Sequence, residues 1–162
     1  METESSGLTK QSIVKYLEES VKVAHEAKLN GKHPFGCVLI GPNDEILLRQ
    51  GNIDTFNHAE STLCREAAAK FSSDFLWGCT LVTNFEPCCM CAGSVYWANI
   101  GRILYGASEE VLLGLTGSAE ENMTMSLDCR TVVGSGQKAI EVIGPVPEME
   151  QAILSDHRGF WD

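Results

Sequence analysis

Basic side chains are scarce. Lys and Arg total 12 against 22 Asp and Glu, a net charge of −10. Proteins that hold nucleic acid draw most of their non-specific affinity from cations on phosphates, so this balance points away from that partner. No run of 18 apolar residues occurs, which argues against a membrane-spanning helix. The N-terminus, METESSGLTKQS, lacks the basic start and apolar stretch of a secretory signal. No internal repeat or low-complexity block is visible. Seven cysteines, an odd count without a signal, fit a reducing intracellular, cytoplasmic setting with free or metal-bound thiols rather than a disulfide framework. The expected partners therefore exclude nucleic acid and membrane.

What is present suits one globular domain. The 162 residues are 44% apolar, enough for a core without staples. Residues 1–8 read as a flexible tail and 9–162 as a single domain. Ile13, Leu17, Val21 and Ala24 recur at helical spacing, so 9–29 reads as an amphipathic helix stopped at Asn30-Gly31. Phe35 to Ile40 and Ile46 to Arg49 read as strands joined by the turn Gly41-Pro42-Asn43-Asp44. A helix follows from His58 to Phe71, a strand from Thr80 to Thr83, and a buried helix from Cys88 to Ala98. Then come a strand at Ile103 to Tyr105, a short helix at Glu109 to Leu113 and a long surface loop over 114–128. Val132-Val133 and Ile140 to Ile143 are weaker strand candidates, and Pro147 opens a last helix that ends at His157-Arg158-Gly159. Strands alternating with helices predict an α/β domain with helices covering a sheet.

Two segments separated by 26 residues carry chemistry: His58-Ala59-Glu60 and Pro87-Cys88-Cys89-Met90-Cys91. A Cys-x-x-Cys pair opening a helix brings two sulfurs near one point, and the helix N-terminus favours thiolates. His58, opening another helix, supplies a nitrogen. One nitrogen and two sulfurs suit Zn²⁺, and three protein ligands leave a fourth position for water, as in catalytic zinc sites. Glu60 then stands near the metal without binding it, placed to take a proton. The combined pattern arises by chance on the order of once in a few thousand chains. Taken alone, Cys88-x-x-Cys91 also fits a redox dithiol, which leaves His58 and Glu60 unused. A structural zinc site needs a fourth protein ligand, and Cys89 is poorly placed to be one.

The chain resembles the cytidine deaminase superfamily, from about His33 to Gly106 with a looser match beyond. It looks most like the branch of guanine deaminases and tRNA adenosine deaminases. The residues are Pro34-Phe35-Gly36, Asn52, His58-Ala59-Glu60, Glu86-Pro87-Cys88, Met90-Cys91-Ala92-Gly93 and Gly101 to Ala107. The resemblance implies a three-layer α/β/α sandwich with a mixed five-stranded sheet and the motifs on helix N-termini. It implies one zinc per chain on His58, Cys88 and Cys91, Glu60 as the proton shuttle, Asn52 as a substrate ligand, and a homodimer. The substrate would be a small heterocyclic base or nucleoside, a guanine-like purine first and cytosine second. A tRNA adenosine deaminase, with Arg102, Arg130 and Lys138 on phosphates, is one alternative; a non-catalytic zinc-stabilised partner subunit is another. Guanine deaminases carry an aspartate after the fourth strand where Val111 stands here.

Further expectations concern the pocket. Backbone N–H groups near Ala59 and Cys88 are placed to meet developing charge. Phe35 is a candidate wall residue. Trp161 and Asp162, at the end of the tail, are expected to close over the substrate, with sealing of the core as the equal alternative. Cys89 is expected to be buried behind its helix, and His25 and His33 to sit at the surface or cap a helix. Glu109-Glu110 and Glu120-Glu121 read as solvated pairs, the second able to border the pocket.

Overall fold

A computed structural model describes residues 7–162. The flexible tail expected over 1–8 lies almost wholly outside the described residues, and Leu8 packs against the apolar core. Helix α1, Lys10–Leu29, starts at Thr9 in a capping box with Ser12 and ends at Asn30. Strands β1 (Gly36–Ile40) and β2 (Ile46–Gly51) form the expected hairpin. Helix α2 covers Ala59–Lys70, α3 Ser73–Trp77, β3 Thr80–Phe85, α4 Cys89–Ala98 and β4 Arg102–Ala107. Helix α5 is Glu109–Thr116, α6 Cys129–Gly134 and β5 Glu141–Ile143, before a 3-10 turn at Pro147–Met149 and α7, Glu150–Leu154.

The sheet order is β2-β1-β3-β4-β5. β1 runs antiparallel to β2 and β3, while β3, β4 and β5 are parallel. Side chains alternate across it. Cys37, Leu39, Leu81, Ile103 and Tyr105 join α2, α4 and α6 in one core cluster. Val38, Ile40, Val82 and Leu104 join α1 and α7 in the other. This is the mixed five-stranded α/β sandwich expected. Gly36 lets α1 lie against β1, since a Cβ there would sit 2.4 Å from the Ala24 nitrogen.

Two elements differ from expectation. Val132 and Val133 are helical, not a strand. Asp128 caps α6 by accepting from Thr131 N and Thr131 Oγ1, and burial of Val133 in the core outweighs the β preference of valine. α3, capped by Ser72, was not foreseen, because five residues are too few to show a helical period.

The C-terminal segment is latched through His157. Its Nε2–H donates to the Pro34 carbonyl at 2.7 Å, and its Nδ1 accepts from Trp161 Nε1–H at 3.2 Å. That tautomer is neutral, and burial lowers the His157 pKa to about 4. The ordinary value is about 6.5. Between those values the unfolded chain binds a proton that the folded chain refuses. The contribution is thus complete above about pH 6.5 and is lost as the pH falls towards 4. Urea unfolding at pH 7 and 4.5 should show this loss as about 2 kcal/mol, absent in His157→Gln.

Candidate active site

Both motif helices begin with an unusual cap. Ser, Thr, Asp and Asn are preferred at the N-cap. Here the N-caps of α2 and α4 are His58 and Cys88, and neither side chain makes a cap hydrogen bond. They turn towards each other instead. His58 Nδ1 lies 3.5 Å from Cys88 Sγ and 3.6 Å from Cys91 Sγ. All three donor atoms fall within 4.8 Å of one another. Tetrahedral zinc, with bonds of about 2.0–2.1 Å to nitrogen and 2.3 Å to sulfur, spaces nitrogen and sulfur about 3.5 Å apart. The donor set therefore fits that metal in both chemistry and spacing.

Hydrogen bonding prepares these donors. His58 Nε2–H donates to the Thr55 carbonyl at 2.9 Å, leaving Nδ1 free to bind a metal. Thr55 is held by a turn in which Asp54 accepts from the backbone of Phe56 and Asn57 and from the Asn57 amide. Those amides keep Asp54 ionised, with its pKa near 2. The Cys88 thiol is pulled down to about 4, first by its contact with Cys91 and then by His58. Cys91 is driven up by the same contact and by burial. His58 is raised to about 9 by Cys88. Such a cluster holds protons that a cation can replace.

Glu60 is buried at 6% exposure, and burial raises its pKa. Thr83 Oγ1, on β3, lies 2.6 Å from Glu60 Oε1 and 3.0 Å from the Phe85 carbonyl. The hydroxyl has one proton and two acceptors within reach. It donates to Glu60 when that carboxylate is ionised; when Glu60 carries the proton, Glu60 donates and the hydroxyl turns to Phe85. The same threonine fits both states of a proton carrier.

These groups face a cavity of about 440 Å³. Phe35, Asn52, His58, Glu60 and Cys88 line it, as expected. Asn84 and His157 both donate to the Pro34 carbonyl, and Asn84 Oδ1 accepts from Gly36 N, which fixes Phe35 in the wall. Asn52 donates from its backbone to the Phe35 carbonyl. Glu86 accepts from Glu109 N and Cys129 N, tying α5 and α6 to the cysteine motif. Ala59 is buried and is not part of the lining. Trp161 stands behind the wall, its ring 4.9 Å from His33 and 6.1 Å from Phe35, and Asp162 is exposed. In this structure the tail buttresses the pocket rather than covering it.

Several lining residues depart from expectation. His33 is in the wall and not merely on the surface. Cys89 faces the cavity, its Sγ 3.0 Å from Met125 Sδ, instead of being buried behind the helix. Glu109 is buried and lines the pocket, not solvated. Glu120 to Met125, from the long loop, complete the rim. No periodicity marks that loop, and a helix-starting Glu reads as surface in any sequence. The one available signal was the length of the loop, since long loops without structure tend to be functional. His25 is exposed beside Asp156, as expected.

Residues 10–107 match the cytidine and deoxycytidylate deaminase zinc-binding region. The chain belongs to that family. It is a zinc-dependent deaminase of the nucleobase or nucleoside class. A probable cytosine deaminase of Schizosaccharomyces pombe is 39% identical over 151 residues, 91% of each chain. A tRNA-specific adenosine deaminase of Bacillus subtilis is 35% identical over 97 residues, 57% of this chain and 60% of that one. The solved guanine deaminase of Nitrosomonas europaea superposes with a TM-score of 0.69 at 16% identity, covering 94% of this chain and 85% of that one, a likeness of fold.

Two outcomes follow from this geometry. Cys91→Ser should lower bound zinc from near one per chain to a small fraction, measured by metal analysis after dialysis. Thr83→Val should keep its zinc yet lose about tenfold or more in turnover, because Glu60 is no longer held.

Proposed function

We propose that the chain hydrolyses the exocyclic amino group of a free base, cytosine ahead of guanine-like purines, releasing ammonia. The carrying observation is a single cavity in which a buried, threonine-held Glu60 adjoins the His58, Cys88 and Cys91 donors. In this reading His58, Cys88 and Cys91 hold one zinc per chain. When bound there, zinc supplies the Lewis acidity that makes water a nucleophile at neutral pH. Glu60 takes a proton from the attacking water as oxygen adds to the amino-bearing carbon. It passes that proton to the neighbouring ring nitrogen, then helps deliver one to the departing amine, so ammonia and the keto base result. The Thr83 hydroxyl follows Glu60 through both states. Asn52 and Phe35 position the ring, the backbone near Ala59 and Cys88 faces the new oxygen, and Trp161 backs the wall through His33.

The order of bases reverses the sequence expectation. Its support is a relative over nine-tenths of the chain whose name is probable cytosine deaminase. Val111 agrees, since it packs into the core and does not line the cavity where the resembling guanine deaminases place an aspartate. The tRNA reading loses its cations. Arg102 pairs with Glu141, Arg130 donates to Tyr105 Oη and the Val142 and Gly144 carbonyls, and Lys138 donates to the Tyr96 carbonyl. A homodimer is supported by Trp97 at 81% exposure and by exposed Met123, Met125 and Leu127 on the loop that touches α4. Among the described residues no helix is long and apolar enough to cross a membrane.

Ammonia release from cytosine, guanine, adenine, cytidine and adenosine tests the reading. Cytosine should be fastest. Glu60→Ala should keep its zinc and lose about 10²–10⁴-fold or more in turnover. A full zinc complement with no ammonia from any of the five would overturn the proposal.

A further inference from the structure

Glu109 is a second carboxyl in the same cavity, and the chemistry above leaves it unused. It opens α5 and is only 4% exposed. Its backbone N–H is fixed on Glu86 Oε1 at 3.1 Å, so the residue is anchored to the loop that carries the cysteines. Its Oε2 is buried without any hydrogen-bond partner. Nearly all buried polar atoms in folded proteins are paired, so an exception in a residue that lines a pocket calls for an explanation, such as a water, an ion or a ligand that completes it. The charged groups that act most on Glu109 are Cys88, Glu86, Glu60 and Asp128, all acidic. Burial comes first, and together they raise its pKa to about 9. Neighbouring zinc would offset the Cys88 charge; the burial and the carboxylates remain.

We propose that Glu109 is a specificity-determining residue that reads the base as a neutral acid, giving one donor and one acceptor to an adjacent ring N–H and C=O. A protonated carboxyl carries both functions on one group, whereas a carboxylate only accepts. Cytosine presents such an edge at N1–H and C2=O. Guanine presents one at N1–H and C6=O. Adenine has no lactam edge and could meet the acid only through a ring nitrogen beside an N–H. The inference rests on the cavity being a base site and names the class of base: amino heterocycles with a lactam edge. It also gives the α5 start a reason to be acidic and dry at once.

The probe is 2-pyridone, a ring with a lactam edge and no amino group, titrated into the zinc-loaded protein by ligand-observed NMR. Glu109→Gln keeps a donor and an acceptor and should bind it within about threefold of wild type. Glu109→Leu should bind tenfold or more weakly. Zinc content and melting temperature of each variant check folding. Should Glu109→Leu not fold, Glu109→Asp takes its place; it draws the acid back by one methylene and should lose at least fivefold. Wild-type affinity in the Leu or Asp variant overturns the proposal, as does failure of wild type to bind 2-pyridone. An equal loss in Glu109→Gln overturns it too, by assigning the ionised form. If the expected pattern holds while no base releases ammonia, the deaminase reading of the cavity fails and the lactam site stands.

Discussion

Everything in this chain turns on two helix N-termini meeting at one end of the sheet. α2 and α4 pack side by side on the same face, and their first residues are His58 and Cys88. A Ser or Asp in either position would cap its helix for about 1 kcal/mol. The chain forgoes both caps and aims the side chains at a common point. The cost is offset by packing: Ala59, Leu63 and Ala67 of α2, and Ala92 and Val95 of α4, are wholly buried between the helices and the sheet. Small residues at 59, 67 and 92 let the two helices close on each other and so set the spacing of the donors.

The surrounding loops act as a frame for that point. The Pro34 carbonyl receives hydrogen bonds from Asn84 on β3 and from His157 near the C-terminus. Glu86 receives the backbone of α5 and of α6. Segments distant in sequence are thereby fixed to the two strand ends beside the cysteines. All four are buried bonds, stronger than the same bonds would be in water. They fix in place a wall assembled mostly from loops.

Legibility in the sequence followed how local each signal was. The zinc donors and Glu60 are carried by short fixed spacings, so they could be read before any fold was known. The strands of the hairpin and the motif helices were equally plain, because periodicity and turn residues are local. Glu109, His33 and Cys89 were not legible. Each becomes a pocket residue only through contacts across long stretches of chain: Glu109 through Glu86, His33 through Trp161, Cys89 through Met125. Val132-Val133 failed for a related reason, since the cap that decides it is an aspartate outside the apolar pair.

The electrostatics of the cavity explain why an acidic protein suits this chemistry. Glu60, Glu86 and Glu109 are all buried in this cavity; burial raises the pKa of Glu60, and burial with the neighbouring acidic groups raises that of Glu109. Glu86 accepts two backbone N–H groups, from Glu109 and Cys129. Glu60 has one hydroxyl and a place beside the metal donors, which leaves it able to exist in either state. Glu109 Oε2 is buried without a hydrogen-bond partner, and the pKa of the group is raised to about 9. Three carboxyls of one type are thus set apart by their neighbours: Glu86 by two backbone N–H groups, Glu60 by a hydroxyl, and Glu109 by an Oε2 left without a partner. An uncharged, planar molecule suits a cavity lined with several carboxyls better than a phosphate-bearing chain does.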